Sequence, residues 1–238
     1  MRPMASVLSK ATGCRGAQNA AQRVGGYGAG MLGGYVGRMS VDFWNDRFAA
    51  EGYAYGREPN DFVRAEAARI PRGRVLCLAE GQGRNAVYLA SLGHQVTAVD
   101  FSVEGLRKAR ALAAERNVEI ETVQADLATY ELEVDAFTGI VAIFAHLPVP
   151  VRRRVHAQVP KALKSGGAFV LEAYSPAQLA YETGGPKDVE LLMTLEGLNA
   201  ELAPLAFHVG REIERDIHEG PWHGGRSATV QVVAVREA

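Results

Sequence analysis

Three acidic residues stand at spacings that suit a ligand containing adenosine: Glu80, Asp100 and Asp126. Each closes a short apolar run, "RVLCLA", "QVTAVD" and "EIETVQAD", so each is expected at the carboxyl end of a strand. Directly after the first acid comes Gly81, Gln82, Gly83, Arg84, Asn85, Ala86. This has the form G-x-G-x-x-A, whose glycines let a ligand approach the backbone. Open α/β sheets bind ligands outside the carboxyl ends of their strands, and an acid about 20 residues beyond the glycine turn accepts hydrogen bonds from ribose hydroxyls. Asp100 is 20 positions after Glu80. The competing reading is structural: glycine turns occur without ligands, and Asp100 or Asp126 can cap a helix or a loop instead.

Two cofactors match such a site. A nicotinamide dinucleotide places its pyrophosphate on the helix N-terminus, where the carboxylate of Glu80 would oppose it. S-adenosylmethionine has no phosphate and carries a sulfonium and an ammonium, which Glu80 attracts. The expectation is therefore S-adenosylmethionine, with a nicotinamide-dependent oxidoreductase as one alternative and a non-catalytic S-adenosylmethionine-binding module as another.

The elements that must position these residues alternate from Asp61 onward. "DFVRAEAARI" reads as a helix closed by Pro71, "RVLCLA" as a strand covered on both faces, "RNAVYLASLG" as a helix and "QVTAVD" as the second strand. Ser102 is the expected cap of the helix "SVEGLRKARALAAERN". A third strand, a fourth in "AFTGIVAIFA", a helix "VPVRRRVHAQVPKALK" interrupted near Pro160 and a fifth strand "GAFVLEAY" complete the series. Strand and helix in alternation predict an α/β fold, an open, mostly parallel Rossmann-like sheet with helices on both faces. The last two strand-like runs are joined by "PWHGGR", too short for a crossover helix, so they must form an antiparallel pair.

The 238 residues suit one domain, and a net charge of -1 gives no basic surface for nucleic acid or anionic membrane. A small-molecule substrate is the expected partner. No apolar run reaches the roughly 18 residues needed to cross a bilayer. Cys14 and Cys77 form no disulfide or zinc pattern, so a reducing, cytoplasmic setting is expected, with Cys77 a buried apolar residue. The first acidic residue is Asp42, and "GGYGAGMLGGYVG" precedes it. Residues 1–38 are therefore expected to be a Gly-rich, disordered leader before a domain of residues 39–238. A start upstream of the true initiator at Met39, a transit peptide and a functional tail are its three possible origins.

The turn "GQGRN", the upstream "FWNDRFAAEGYAYGREPNDF" and the later "LKSGGAFVLEAY" resemble class I S-adenosylmethionine-dependent methyltransferases. The likeness spans about residues 42 to 236 and points to the branch of tellurite-resistance and, more distantly, thiopurine methyltransferases. It implies a seven-stranded sheet with an antiparallel C-terminal strand. It also implies that Glu80, Gly81 and Gly83, with the neighbouring Arg84 and Asn85, serve the methionine side of the cofactor. Asp100 would hold the ribose with Phe101 beside the adenine, Asp126 and Leu127 would meet the adenine, and Ile143 to His146 would border the transferred methyl. Many tellurite-type sequences have Gly-Cys-Gly where this chain has Gly81, Gln82, Gly83.

Methyl transfer is an in-line displacement that needs alignment and no metal. A thiolate or a chalcogen oxyanion needs little help, whereas a neutral hydroxyl or amine needs a base. His146 is the candidate base or substrate contact, against the alternative of a loop histidine bonded locally. Glu172, Tyr174, Trp222 and His223 are further candidates on the substrate side. Trp44, Tyr53, Tyr55 and Arg57 form either a lid or an ordinary amphipathic helix and turn, and Thr183 to Pro186 a mobile turn. Arg152, Arg153 and Arg154 read as a solvated helix face.

Overall fold

The computed structural model describes residues 40–237, so the expected leader and Cys14 lie outside the described residues. The chain enters through α1 (Val41–Ala49), whose first turn is closed by the Ser40 hydroxyl accepting from the Phe43 N–H at 3.2 Å. A loop leads to α2 (Asp61–Glu66), capped by the Asn60 side chain, which accepts from the Val63 N–H at 3.0 Å. Then come β1 (Arg74–Leu78), α3 (Arg84–Ser91), β2 (Gln95–Asp100), α4 (Val103–Glu115), β3 (Glu121–Gln124), β4 (Phe137–Ile143), α5 (Val149–Ala162) and β5 (Leu163–Tyr174). The expected cap of α4 is present, with the Ser102 hydroxyl accepting from the Gly105 N–H at 3.1 Å.

After β5 two short 3-10 turns and α6 (Leu195–Glu201) lead to β6 (Ala206–His218) and β7 (Gly224–Val235). All seven strands form one sheet in the order β3-β2-β1-β4-β5-β7-β6. Strands β1 to β5 are parallel, and β7 runs antiparallel to both β5 and β6. The expected α/β architecture, including the antiparallel C-terminal strand, is the one found.

Alternate residues of the central strands pack on opposite sides, as a period of two requires. Leu76, Leu78, Ile140, Phe169 and Leu171 meet α5 and α6, while Val75, Cys77, Val141 and Val170 meet α2 and α3. Each such side chain contributes about 1.5–3 kcal/mol on burial. Cys77 is fully buried, and burial pushes its thiol well above the usual range, so it serves as an apolar residue.

Two expectations need correction. Helix α5 is not interrupted at Pro160: the proline sits inside it, and the helix ends at Ala162. The proline lacks the N–H for, and its ring crowds, the carbonyl four residues back, and the helix closes two residues after it. The Arg152–Arg154 run is not a solvated face either. Arg152 pairs with Glu201 on α6 at 3.0 Å, with both side chains 11% exposed, and Arg154 donates to the carbonyls of Leu127 and Tyr130 at 3.3 and 2.8 Å. Only Arg153, 70% exposed, faces solvent. Burial raises the Glu201 carboxyl, but hydrogen bonds from His156 and Arg152 outweigh it and bring it down to about 2. Among the described residues, no helix is long and apolar enough to cross a membrane.

Candidate functional site

The sheet changes direction of winding between β1 and β4, so the loops leaving their carboxyl ends diverge and open a crevice there. Two residues beside it adopt left-handed backbone without being glycine: Ala79 after β1 at φ 50° and Phe144 after β4 at φ 52°. Such conformations persist only where their surroundings impose them, and Phe144 is tethered by its N–H donating to the Glu172 carbonyl at 2.7 Å.

The glycine turn after β1 is held by the first two acids. Glu80 Oε1 accepts from the N–H groups of Asn85 and Ala86, each at 2.9 Å, closing the N-terminus of α3. Burial pushes its carboxyl up to about 7, against those two bonds and the charge of Arg84. Asp100 is 8% exposed and bridges the turn to the next helix: Oδ2 accepts from Gly81 N–H at 2.7 Å, and Oδ1 from Ser102 N–H at 2.8 Å. Burial raises this carboxyl too, and the backbone donors oppose the rise. Gly83, at φ 88°, lets α3 meet α4: a Cβ there would lie 2.6 Å from that of Ala109.

The third acid stands apart. Asp126 is exposed beyond β3, with Oδ1 accepting from the Ala128 N–H at 2.8 Å, and the Asp100 carbonyl receives the Ala125 N–H at 3.0 Å. Phe101 lies half-buried between the ends of β2 and β3, its carbonyl accepting from Gln124. Ile143 is half-buried at the end of β4. Thus Glu80, Gly81, Gly83, Asp100, Phe101, Asp126 and Ile143 all lie along one edge of the sheet.

Four expected site residues behave differently. Leu127 is 6% exposed and packs in the core under the sheet, so its side chain is not a free adenine contact. The side chains of Arg84 and Asn85 turn away from the glycine turn: Arg84 Nη2 pairs with Glu219 Oε2 at 2.7 Å, and Asn85 Oδ1 accepts from the Asn60 N–H at 2.9 Å. His146 has both ring nitrogens engaged by the backbone. Nδ1 lies 2.8 Å from the Leu191 carbonyl, and Nε2 accepts from the Tyr174 N–H at 3.3 Å. These partners fix the Nδ1–H tautomer, and burial lowers its pKa to about 4, so the ring is a neutral brace with no lone pair to offer.

The arrangement also contains what the sequence did not disclose. Glu172 is fully buried and accepts from Asn60 at 2.6 Å, from Arg215 Nε and Nη2 at 2.8 Å each, from Gln231 at 2.8 Å and from Thr229 at 3.1 Å. Asn60 and Arg215 also donate to Glu219, at 2.8 and 3.0 Å. Burial raises the Glu219 carboxyl, but His223, Arg84 and Arg215 together hold it far below its usual range. This buried polar network ties α2, α3, β5 and the β6–β7 hairpin into one wall of the crevice. A charged residue inside the apolar run "GAFVLEAY" was the only signal of it in the sequence.

The opposite wall is the segment from Ser40 to Asn60, which packs over the glycine turn. Asn45 Oδ1 accepts from the Ser102 hydroxyl at 2.7 Å, the Ala54 N–H donates to Gln82 Oε1 at 2.7 Å, and Lys108 donates to the carbonyl of Gly52 at 2.7 Å. Phe48 lies against Gly81 and Gly105, where a Cβ at either would approach its ring to 2.9 Å. Aromatic rings continue around the mouth: Phe48 to Tyr55 with centroids 6.2 Å apart, Tyr55 to His223 at 4.4 Å, His223 to Phe144 at 4.6 Å and Phe144 to Tyr174 at 4.7 Å. Trp222 is 56% exposed, with Arg47 stacked 4.8 Å from its ring. Thr183 is bonded to β7, its hydroxyl donating to the Arg226 carbonyl at 2.5 Å.

S-adenosylmethionine fits this donor set: Glu80 would face the cationic end, Asp100 keeps lone pairs that ribose hydroxyls would use, and the second oxygen of Asp126 would take the adenine amine. Comparison with known proteins points the same way. Residues 75–167 match the family model of a methyltransferase domain. No curated protein matches the chain in sequence. Among solved structures the chain is similar to one from work on the conversion of a disulfide bond into a thioacetal group during echinomycin biosynthesis, at 18% identity and TM-score 0.65, covering 83% of this chain and 92% of that one. It is similar also to TehB from Haemophilus influenzae, at 18% identity and TM-score 0.62, covering 82% of this chain and 66% of that one. A SAM-dependent methyltransferase from Methanosarcina mazei shows 18% identity and TM-score 0.56, covering 69% of this chain and 92% of that one. The domain match covers residues 75–167, and the fold of the described chain is that of S-adenosylmethionine-dependent methyltransferases.

Proposed function

We propose that this chain is an S-adenosylmethionine-dependent methyltransferase that acts on a small-molecule acceptor, in the manner of the tellurite-resistance and thiopurine methyltransferases that its "GQGRN" turn resembles, with a thiol or a chalcogen oxyanion as the methylated group. The observation that carries the reading is the crevice between β1 and β4. It is bordered by three carboxylates on the cofactor side and by a continuous aromatic ring, Phe48, Tyr55, His223, Phe144 and Tyr174, on the other. The residue 40–60 segment and the hairpin lean over it, which suits an acceptor small enough to be enclosed and aligned with the methyl group. A net charge of -1 supplies no field for a nucleic-acid substrate. A buried, unpaired Cys77 accords with a reducing, cytoplasmic setting.

The cofactor supplies a methyl group on a sulfonium, activated for displacement. The chain supplies position: Asp100 fixes the glycine turn and the ribose, Asp126 the adenine, Glu80 the cationic end, and Ile143 with Phe144 the floor beside the methyl group. The test is calorimetric titration with S-adenosylhomocysteine and, separately, NAD, followed by product detection with a panel of thiols and with selenite and tellurite. Micromolar binding of the first ligand, none of the second and turnover of a panel member are expected. Binding of NAD alone would overturn the assignment, and turnover only with a protein or RNA acceptor would overturn its small-molecule part.

A further inference from the structure

His223 is the one histidine at the crevice whose ring is not tied to the backbone. It sits at the tip of the β6–β7 hairpin, 8% exposed, clasped by Tyr55 at 4.4 Å, Phe144 at 4.6 Å and Tyr174 at 5.7 Å between ring centroids. Phe144 is the residue directly beyond β4, so the clasp places the imidazole over the switch point of the sheet. Nδ1 faces Glu219 Oε2 at 3.9 Å, buried and without a hydrogen-bond partner. Nε2 makes no hydrogen bond among the described residues. Glu219 is itself fixed by Asn60, Arg215 and Arg84. Native interiors leave few buried polar atoms unpaired, and an imidazole with neither nitrogen hydrogen-bonded at the carboxyl edge of the sheet marks where a ligand makes the missing bonds.

We propose that His223 is the general base of the methyl transfer, that Glu219 is the positioning residue behind it, and that the acceptor therefore enters the site protonated rather than as a preformed oxyanion. This rests on the methyltransferase reading above and deepens it. In the step, the acceptor's heteroatom forms a bond to the methyl carbon as the carbon–sulfonium bond breaks, and that bond's electron pair stays on sulfur. The acceptor's proton passes to His223 Nε2 and later to solvent. Glu219 closes on the Nδ1–H as the ring becomes cationic. A gap of 3.9 Å in the resting site accords with catalytic hydrogen bonds that tighten only when the reactants are bound. The groups facing the imidazole are Glu219, Arg84 and Glu172 with the rings of Tyr55, Tyr174 and His146. Burial lowers its pKa and Glu219 opposes the change, so the ring is neutral and presents an imidazole lone pair to the acceptor.

The experiment uses the full chain, thiophenol and 2-mercaptoethanol as probe acceptors, and the variants His223→Asn and His223→Ala. S-adenosylhomocysteine should bind both variants within about threefold of wild type, which separates this proposal from the cofactor assignment and shows that they fold. Turnover of 2-mercaptoethanol at pH 6.5 should fall by roughly 100-fold or more, the usual contribution of a general base, whereas thiophenol, already substantially ionised at that pH, should lose far less. Two signatures then distinguish a base from a packing residue. Raising the pH toward the thiol's own value, above the roughly 8.5 of a cysteine side chain, should restore much of the variants' rate with 2-mercaptoethanol, because the thiolate arrives without its proton. Added imidazole should partly rescue His223→Ala. Independently of turnover, NMR of the His223 ring in the complex with S-adenosylhomocysteine and thiophenol should show imidazolium that is absent without the thiol. A loss equal at every pH, no rescue by imidazole, or methylation of selenite or tellurite but of neither thiol by wild type would overturn the proposal. Failure of wild type to bind S-adenosylhomocysteine would instead overturn the reading on which it rests.

Discussion

On the proposed assignment, Glu80 makes the cofactor affinity of this protein a function of pH. Its carboxyl lies at about 7 because burial outweighs the two backbone bonds from Asn85 and Ala86 and the charge of Arg84. A cationic ligand favours the ionised form, so binding expels a proton and strengthens as pH rises through 7. Roughly one carboxyl in eleven is ionised at pH 6 and about three in four at pH 7.5, so affinity should rise about eightfold over that interval, near 1.3 kcal/mol. The upper limit keeps the ligand's own ammonium, with a pKa of about 7.7–8.0, mostly charged. Calorimetry with S-adenosylmethionine on wild type and Glu80→Gln measures the slope, and 5′-methylthioadenosine, which lacks the amino-acid arm, should show none. Glutamine keeps an oxygen for the α3 amides while removing the titration, so its profile should be flat. Equal wild-type affinity at pH 6 and 7.5, or the same slope in Glu80→Gln, would refute the reasoning. The sign for folding is opposite. The raised carboxyl holds a proton that the unfolded chain releases above its ordinary value of 4.5, so the unliganded fold loses stability as pH climbs from there to about 7.

Asp100→Ala removes the acceptor for Gly81 and Ser102 as well as the ribose partner, so S-adenosylhomocysteine affinity should drop by roughly 100-fold at charged hydrogen-bond strengths of about 1.5–3 kcal/mol each; calorimetry giving unchanged affinity in a folded variant removes the ribose assignment. Gly83→Ala forces a Cβ to 2.6 Å from that of Ala109 at φ 88°, and urea unfolding should show a loss of about 2 kcal/mol or more. Glu172→Gln removes one of the two buried carboxylates that face the Arg215 charge, leaving Glu219 at 3.0 Å, and should cost about 2 kcal/mol by the same assay, while a cost below about 0.5 would show that the network is wet. His146→Ala should lower the melting temperature yet leave the shape of the pH–rate profile unchanged, and loss of the acidic limb would restore it as a titrating base.

Much of this was legible in the sequence because period and punctuation are local. The strand ends at Glu80, Asp100 and Asp126, the Ser102 cap and the antiparallel pair around "PWHGGR" follow from patterns a few residues long. What escaped is non-local. Asn60 lies 112 positions from Glu172 and 159 from Glu219, and no spacing rule connects them. His146 and His223 look alike as loop histidines at the binding edge. Only the folded backbone reveals that the first is bonded at both nitrogens and the second is left open. Leu127 shows the same limit, since its place beside Asp126 says nothing of the side to which its chain turns.

Strand β7 follows β6 in sequence yet lies inside it in the sheet, because it slots between β5 and β6. During synthesis β6 emerges with no strand to pair with, and β5 keeps one edge bare until β7 is made. The acids at Glu80, Asp100 and Asp126 are therefore translated long before the hairpin that carries Glu219 and His223 can be seated. A ribosome that stops short would release a chain with its cofactor edge written and its acceptor wall missing. It would also expose an open strand edge for quality control to recognise.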